Sequence, residues 1–137
     1  MGYIFYNIIY AISSFPIGLL SDKIGKKKMY VIGLLIYSFV YFGFAVNNNF
    51  ILLWILFALY GIYASATEGV SKALVSDLVK KEFKGTAIGL ITMSSSFAVM
   101  AGSFFAGILW DNFGPSIPFI ISSIISLITA ILLLRIK

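Results

Sequence analysis

The chain has no cysteine and no histidine among its 137 residues. Without cysteine there are no disulfides, thiolate nucleophiles, Cys-ligated metals or iron–sulfur clusters, and no reading of the redox compartment. Without histidine there is no His-based proton relay or protease, and the commonest zinc ligand is missing. Charge is scarce as well: 11% of residues are charged and 61% hydrophobic, against roughly 25% charged in an ordinary soluble domain. Only five acids are present, Asp22, Glu68, Asp77, Glu82 and Asp111. An intramembrane aspartyl protease needs two Asp facing each other at mid-membrane, but Asp22, Asp77 and Asp111 stand at the ends of apolar stretches. The expectation is a protein that is not an enzyme and carries no metal or organic cofactor.

The few charges are segregated. Residues 1–21, 29–67, 85–110 and 112–134 hold none, which leaves uncharged windows of 21, 39, 26 and 23 residues. A spanning helix needs about 20 apolar residues to cross about 30 Å of hydrocarbon. The 39-residue window therefore holds two spans, divided at the polar, turn-forming Asn47-Asn48-Asn49. The reading is an all-α, polytopic helical membrane protein: a single membrane domain over 1–137 with five transmembrane helices, near 3–21, 29–46, 50–76, 85–110 and 115–134. Met1 is not followed by a basic region and the first stretch has full spanning length, so it is expected to be a retained helix, not a cleaved signal. Pro16 frees a backbone carbonyl near the inner end of that helix, where a kink would serve as a hinge.

A net charge of +5 can indicate a nucleic-acid partner, but its distribution has a simpler cause. Five alternating spans put the 21–28 and 76–85 junctions and the C-terminus on one side. All ten cations fall there: Lys23, Lys26, Lys27, Lys28, Lys72, Lys80, Lys81, Lys84, Arg135 and Lys137. By the positive-inside rule that side is cytoplasmic, which gives an N-terminus outside, a C-terminus inside, a cell (inner) membrane location, lipid as the surrounding partner, and no nucleic acid. Tyr3, Tyr6, Phe50, Trp54, Trp110 and Phe113 then gather near the outer interface, where amphipathic rings are favoured.

The octets GLLSDKIG (Gly18 to Gly25) and GILWDNFG (Gly107, Asp111 and Gly114 among its residues) share the pattern G-x-L-x-D-x-x-G. Three helices separate them, so they must lie on opposite membrane faces, as in an inverted-topology repeat of three-helix units. The first copy continues as GLLSDKIGKKK and resembles the cytoplasmic loop motif of the major facilitator superfamily through Gly18, Leu20, Asp22, Lys23, Gly25, Lys26 and Lys27. Residues 68–89 and the second octet are similar to the stretch joining the tenth and eleventh helices of bacterial members. The motif cations are Lys where relatives often have Arg, which removes the bidentate fork, and Lys80 stands where they commonly have Pro.

The resemblance implies a partial six-helix half, equivalent to helices eight to twelve of a twelve-helix transporter, with its inverted three-helix repeat incomplete. It further implies transport of a small solute by alternating access, with the missing N-terminal transporter helices as partners, coupling to a proton or sodium gradient, and no activity of this chain alone. Two other readings stay open: a non-transporting membrane interaction or assembly protein, and a gene fragment without function. In the family the loop latches the cytoplasmic side, which makes Gly18, Asp22, Lys23, Gly25, Lys26 and Lys27 gating candidates, although Lys26 to Lys28 also suit simple orientation. Gly18 is expected to admit a neighbouring helix, Gly25 to permit a tight turn, and Asp22 to cap the next helix or pair with a cation.

Glu68 and Lys72 are the charges within a helix, spaced i,i+4 in the order that favours a pair. Counted from Phe50, Glu68 lies about 28 Å along its helix, near the inner boundary, where an interfacial ion pair and an ion-coupling site are both open readings. Tyr60, Tyr63 and Thr67 share a helical face with Ser71. The family places this helix along the central cavity, so those three are substrate-cavity candidates; hydrogen bonding to neighbouring helices is the alternative. The small residues of the fourth helix are expected to pack it inside the bundle, and the second and fifth helices are expected to be peripheral and lipid-facing.

Overall fold

The computed structural model describes residues 2–136; Met1 and Lys137, the latter one of the ten cations, lie outside the described residues. Five helices follow one another: α1 (Gly2–Ile24), α2 (Lys26–Val46), α3 (Phe50–Leu78), α4 (Lys84–Phe113) and α5 (Ser116–Arg135), with one 3₁₀ turn at Lys81–Phe83 before α4. All five are long and apolar enough to cross a membrane, and no strand occurs among the described residues. In hydrocarbon only a helix satisfies its own backbone donors and acceptors. α1 and α4 run past the uncharged windows to take in Asp22, Lys23, Lys84 and Asp111, because charge marks where lipid ends and does not stop backbone hydrogen bonding.

The junctions are made by local chemistry. Asn47 Oδ1 accepts from the Asn49 amide at 2.8 Å, and Asn49 Oδ1 accepts from the Ile51 amide at 2.9 Å, capping α3. The last glycine of each octet ends its helix. Gly25 and Gly114 have φ of 97° and 88°, the only positive values among the described residues. Each donates its amide to the carbonyl four residues back, Ser21 and Trp110, at 3.0 Å in both cases. A side chain at that φ would be strained.

α2 occupies the centre of the bundle, packed against α1, α3 and α5. Its close approach to α3 occurs at Gly33, where an added Cβ would stand 2.6 Å from Thr67 Cγ2 and 3.2 Å from Ala66 Cβ. Gly61 plays the same part between α3 and α1, against the Tyr6 carbonyl and Ile9. Near the cation-rich end, Ile17, Met29, Ala66 and Val70 form a buried core joining α1, α2 and α3. α5 is held to α2 by a reciprocal serine pair: Ser38 Oγ donates to the Ser123 carbonyl at 2.9 Å, and Ser123 Oγ to the Ser38 carbonyl at 2.7 Å. Ser126 Oγ adds a bond to the Leu34 carbonyl.

Two expectations therefore change. α2 is central, not peripheral, since its glycine and serines make helix contacts that its Tyr and Phe content conceals. α5 meets α2 through the buried Ser123 and Ser126 and leaves Ile124, Ile125, Ile128 and Leu132 exposed on its other side. α4 is not packed inside: none of its residues is buried, and Gly89, Gly102 and Gly107 have nothing within 4 Å of an added Cβ. Small residues permit close packing only where a partner helix comes close, and α4 touches the others chiefly along α3 and α5.

The lysine-rich junctions share one end of the bundle. Lys26 Nζ is 2.5 Å from Asp77 Oδ2 at the end of α3, and Lys27 Nζ donates to the Ile136 carbonyl just beyond α5. At the opposite end Ser116 Oγ meets the Ala45 carbonyl, and Trp54 packs edge-on to Phe5 and Phe50.

Gly33→Val should cost about 1–3 kcal/mol through overpacking at the α2–α3 contact. Gly102→Ala, in open space, should be neutral or stabilise by up to about 1 kcal/mol. Thermal unfolding of the two variants in detergent micelles checks the contrast.

Candidate functional site

Seven of the eight tyrosines in the chain form one connected group, drawn from three helices. On α1, Tyr3, Tyr6 and Tyr10 follow one another at ring separations of 5.9 and 6.3 Å. Tyr6 meets Tyr60 of α3 at 5.0 Å, and Tyr60 meets Tyr63 at 5.5 Å. Tyr37 of α2 lies 4.7 Å from Tyr63 and 3.9 Å from Tyr41. The spacing of three and four residues on each helix stacks these rings along one face. Packing α2 and α1 on either side of α3 joins the three rows.

Tyr37, Tyr41, Tyr60 and Tyr63 form one wall of a cavity of about 600 Å³; the small residues of α4, Gly102, Ser103 and Gly107 among them, form the opposite wall. Ser122 and Phe119 of α5 close one side. That volume lies within the roughly 300–1,000 Å³ usual for small-molecule sites. Of the three cavity candidates, Tyr60 and Tyr63 line this space. Thr67 does not: it is buried, its hydroxyl donates to the Tyr63 carbonyl at 3.0 Å, and its methyl packs towards Gly33. Tyr37 and Tyr41 were absent from the sequence-based set, and the signal that could have found them is their own i,i+4 spacing on α2.

Glu68 is placed differently from expectation. No ion pair joins it to Lys72; among the described residues the only salt bridge is Lys26–Asp77. Instead Tyr10 Oη donates to Glu68 Oε2 at 3.3 Å across the α1–α3 contact, one turn from the Ser13–Ser65 hydroxyl pair at 3.0 Å. Gly61 lies opposite Tyr6 and Ile9, and Ser65 opposite Ser13, so Glu68, between Ala66 and Val70 of the core near the cation-rich end, is level with the second half of α1. Its side chain is exposed, and it stands nine residues from Asp77, about 14 Å along the helix. Glu68 and Lys72 also border a smaller cavity against Thr92, Ser95 and Ser96 of α4.

The loop octet is partly assembled. Lys26 pairs with Asp77 and Lys27 holds the end of α5, so the first junction clasps the ends of two other helices. Asp22 lines a cavity with Lys26, Gly18 and Ser21 but forms no ion pair among the described residues, and the α2 N-terminus at Gly25 has no side-chain cap. Gly18 has nothing within 4 Å of an added Cβ, so no helix approaches there. Lys23 ends α1. Gly107 faces the tyrosine-walled cavity, and Asp111 lies in the last turn of α4 before Gly114.

The family model described as Major Facilitator Superfamily matches residues 2–137. Among curated relatives, an uncharacterised MFS-type transporter of Methanocaldococcus jannaschii is 42% identical over 96% of this chain and 33% of its own length. An uncharacterised transporter of Buchnera aphidicola is 33% identical over 93% of this chain and 32% of its length. Multidrug resistance protein 2 of Bacillus subtilis is 31% identical over 96% of this chain and 33% of its length. The chain thus spans about a third of the curated relatives it matches. No solved structure matches it significantly. A family match over all but the first residue, joined to a bundle of five membrane-length helices with glycine-ended octets at its two ends, makes this chain a member of the Major Facilitator Superfamily.

Proposed function

We propose that the chain supplies part of the transport unit of a secondary transporter that moves a small solute by alternating access. The observation that carries this reading is the tyrosine-walled cavity between α3 and α4, in a chain of transporter family. Tyr60 and Tyr63, with Tyr37 and Tyr41, contact the solute. Glu68, a carboxylate within a spanning helix that meets Tyr10 of α1 and borders two cavities, couples movement to a proton or sodium gradient, since an ionisable group within such a helix is expensive to keep without a use. Lys72 lies on the next turn, towards the cation-rich end. The contacts of Lys26 and Lys27 with Asp77 and Ile136 latch that end, and release of the latch opens it. The relatives are about three times as long as this chain, and transport requires the further helices of such a transporter.

The cation-rich end faces the cytoplasm of a cell membrane, by the positive-inside rule. A second reading, a membrane assembly protein, is favoured by one observation: α4 has no buried residue and presents a long apolar face with no helix on it.

Because the chain lacks cysteine, single cysteines report sidedness. Asn48→Cys should react with an impermeant maleimide in intact cells, and Lys28→Cys only after permeabilisation; the reverse pattern inverts the orientation.

Proteoliposomes holding the chain alone should show no saturable uptake of radiolabelled sugars, amino acids or organic cations. Saturable uptake would overturn the need for further helices.

In a complete transporter containing this chain, Glu68→Gln should reduce the response of uptake to an imposed pH gradient by about tenfold, a loss of about 1.4 kcal/mol of coupling. An unchanged response removes Glu68 from coupling.

A further inference from the structure

A second cavity, of about 550 Å³, lies between α1 and α3, away from α4, and is lined by Tyr6, Asn7, Tyr10, Phe57, Tyr60 and Glu68 among others. Its chemistry is one-sided. Among the described residues, Glu68 contributes the single formal charge of the lining, and no Lys or Arg borders the space. Tyrosine rings line much of the space, and the face of such a ring carries a negative quadrupole potential. Asn7 spends one of its two amide N–H groups on the Tyr3 carbonyl at 2.7 Å, which leaves its other N–H and its side-chain oxygen. Tyr10 spends its hydroxyl proton on Glu68 itself. What remains for an occupant is one carboxylate, aromatic rings and a few neutral hydroxyl and amide groups.

Such a lining selects by charge. An anion would meet the carboxylate and the ring faces with no cation to offset them. A bare metal ion needs six or more oxygens in a tight cage, which this lining does not supply. A sugar needs a dense set of donors and acceptors, whereas most of this surface is aromatic. A cation with apolar substituents satisfies all of it: its charge lies against Glu68 and over the rings, a contact worth about 0.5–2 kcal/mol per well-placed ring, and its apolar part fills the space beside Phe57. Lys72, which shares the α4-side cavity with Glu68, forms no ion pair with it.

We propose that the α1–α3 cavity binds an organic monocation, an ammonium or similar group with apolar substituents, between the Glu68 carboxylate and the rings of Tyr6, Tyr10 and Tyr60. This deepens the transporter reading by naming the class of solute that the chain meets.

The test uses the full chain in nanodiscs of zwitterionic lipid, titrated calorimetrically with benzyltrimethylammonium, whose charge is fixed, and with phenylmethanesulfonate, an anion of similar size. The cation should bind saturably and the anion should not. Glu68→Gln should weaken cation binding at least tenfold. Tyr6→Ala combined with Tyr60→Ala should weaken binding about three- to tenfold. Helical circular dichroism equal to the parent's is required of each variant, and Glu68→Ala serves in place of Glu68→Gln where that condition fails. Equal binding of the cation by the Glu68 variant, or binding of the anion as tightly as the cation, overturns the proposal. Saturable uptake of another solute by a complete transporter with no cation binding overturns this site and leaves the transporter reading standing.

Discussion

Gly33 brings α2 against Ala66 and Thr67 of α3, and the other helices take their places around that contact. A larger side chain there would hold the two helices apart by the width of a methyl group or more. With them together, Tyr37 and Tyr41 reach Tyr63 and Tyr60, and the outer face of α2 is free to receive α5 through Ser38 and Ser123. α1 then docks on the other side of α3, where Gly61 gives it room. Between lipid-surrounded helices there is no hydrophobic gain from association, so packing and interhelical hydrogen bonds must hold the bundle. Small residues and hydroxyls carry most of it here, and among the described residues no buried side-chain polar atom lacks a partner.

Polar chemistry is arranged by depth. At one end, Lys26 and Lys27 tie the first junction to α3 and α5. About 14 Å further along α3, Glu68 is met by a tyrosine from α1 instead of by the lysine of its own helix. Beyond it the tyrosine group continues towards the end where Trp54, Phe50 and Tyr3 gather. The same helix, α3, thus carries an end clasp, a carboxylate bonded to α1 and two aromatic walls, because its successive faces meet α1, α2 and α4.

The glycine-ended octets show how far a motif can be read. Gly25 and Gly114 perform the same local task, a positive-φ helix end with an amide bonded four residues back, and the pattern G-x-L-x-D-x-x-G announced it. The pattern said less about its other members. Gly18 and Gly107 both border cavities instead of neighbouring helices, and Asp22 forms no ion pair among the described residues. A backbone task depends on the residue alone, whereas a packing task depends on what stands opposite.

The amino-acid sequence by itself determined the number of helices, the positions of their junctions and the gathering of cations at one end. These follow from solvation: a residue's cost in hydrocarbon is a property of that residue, and runs of apolar residues of sufficient length suffice to define spans. Only the tertiary structure decided that α2 is central, that α4 stands exposed, that Thr67 packs while Tyr37 and Tyr41 line the cavity, and that Glu68 pairs with Tyr10. In a membrane every helix is apolar nearly all round, so composition does not distinguish the face that meets lipid from the face that meets protein. Neighbours are selected by the fit of individual small and hydroxyl side chains across the interface, and that fit exists only once two helices are side by side.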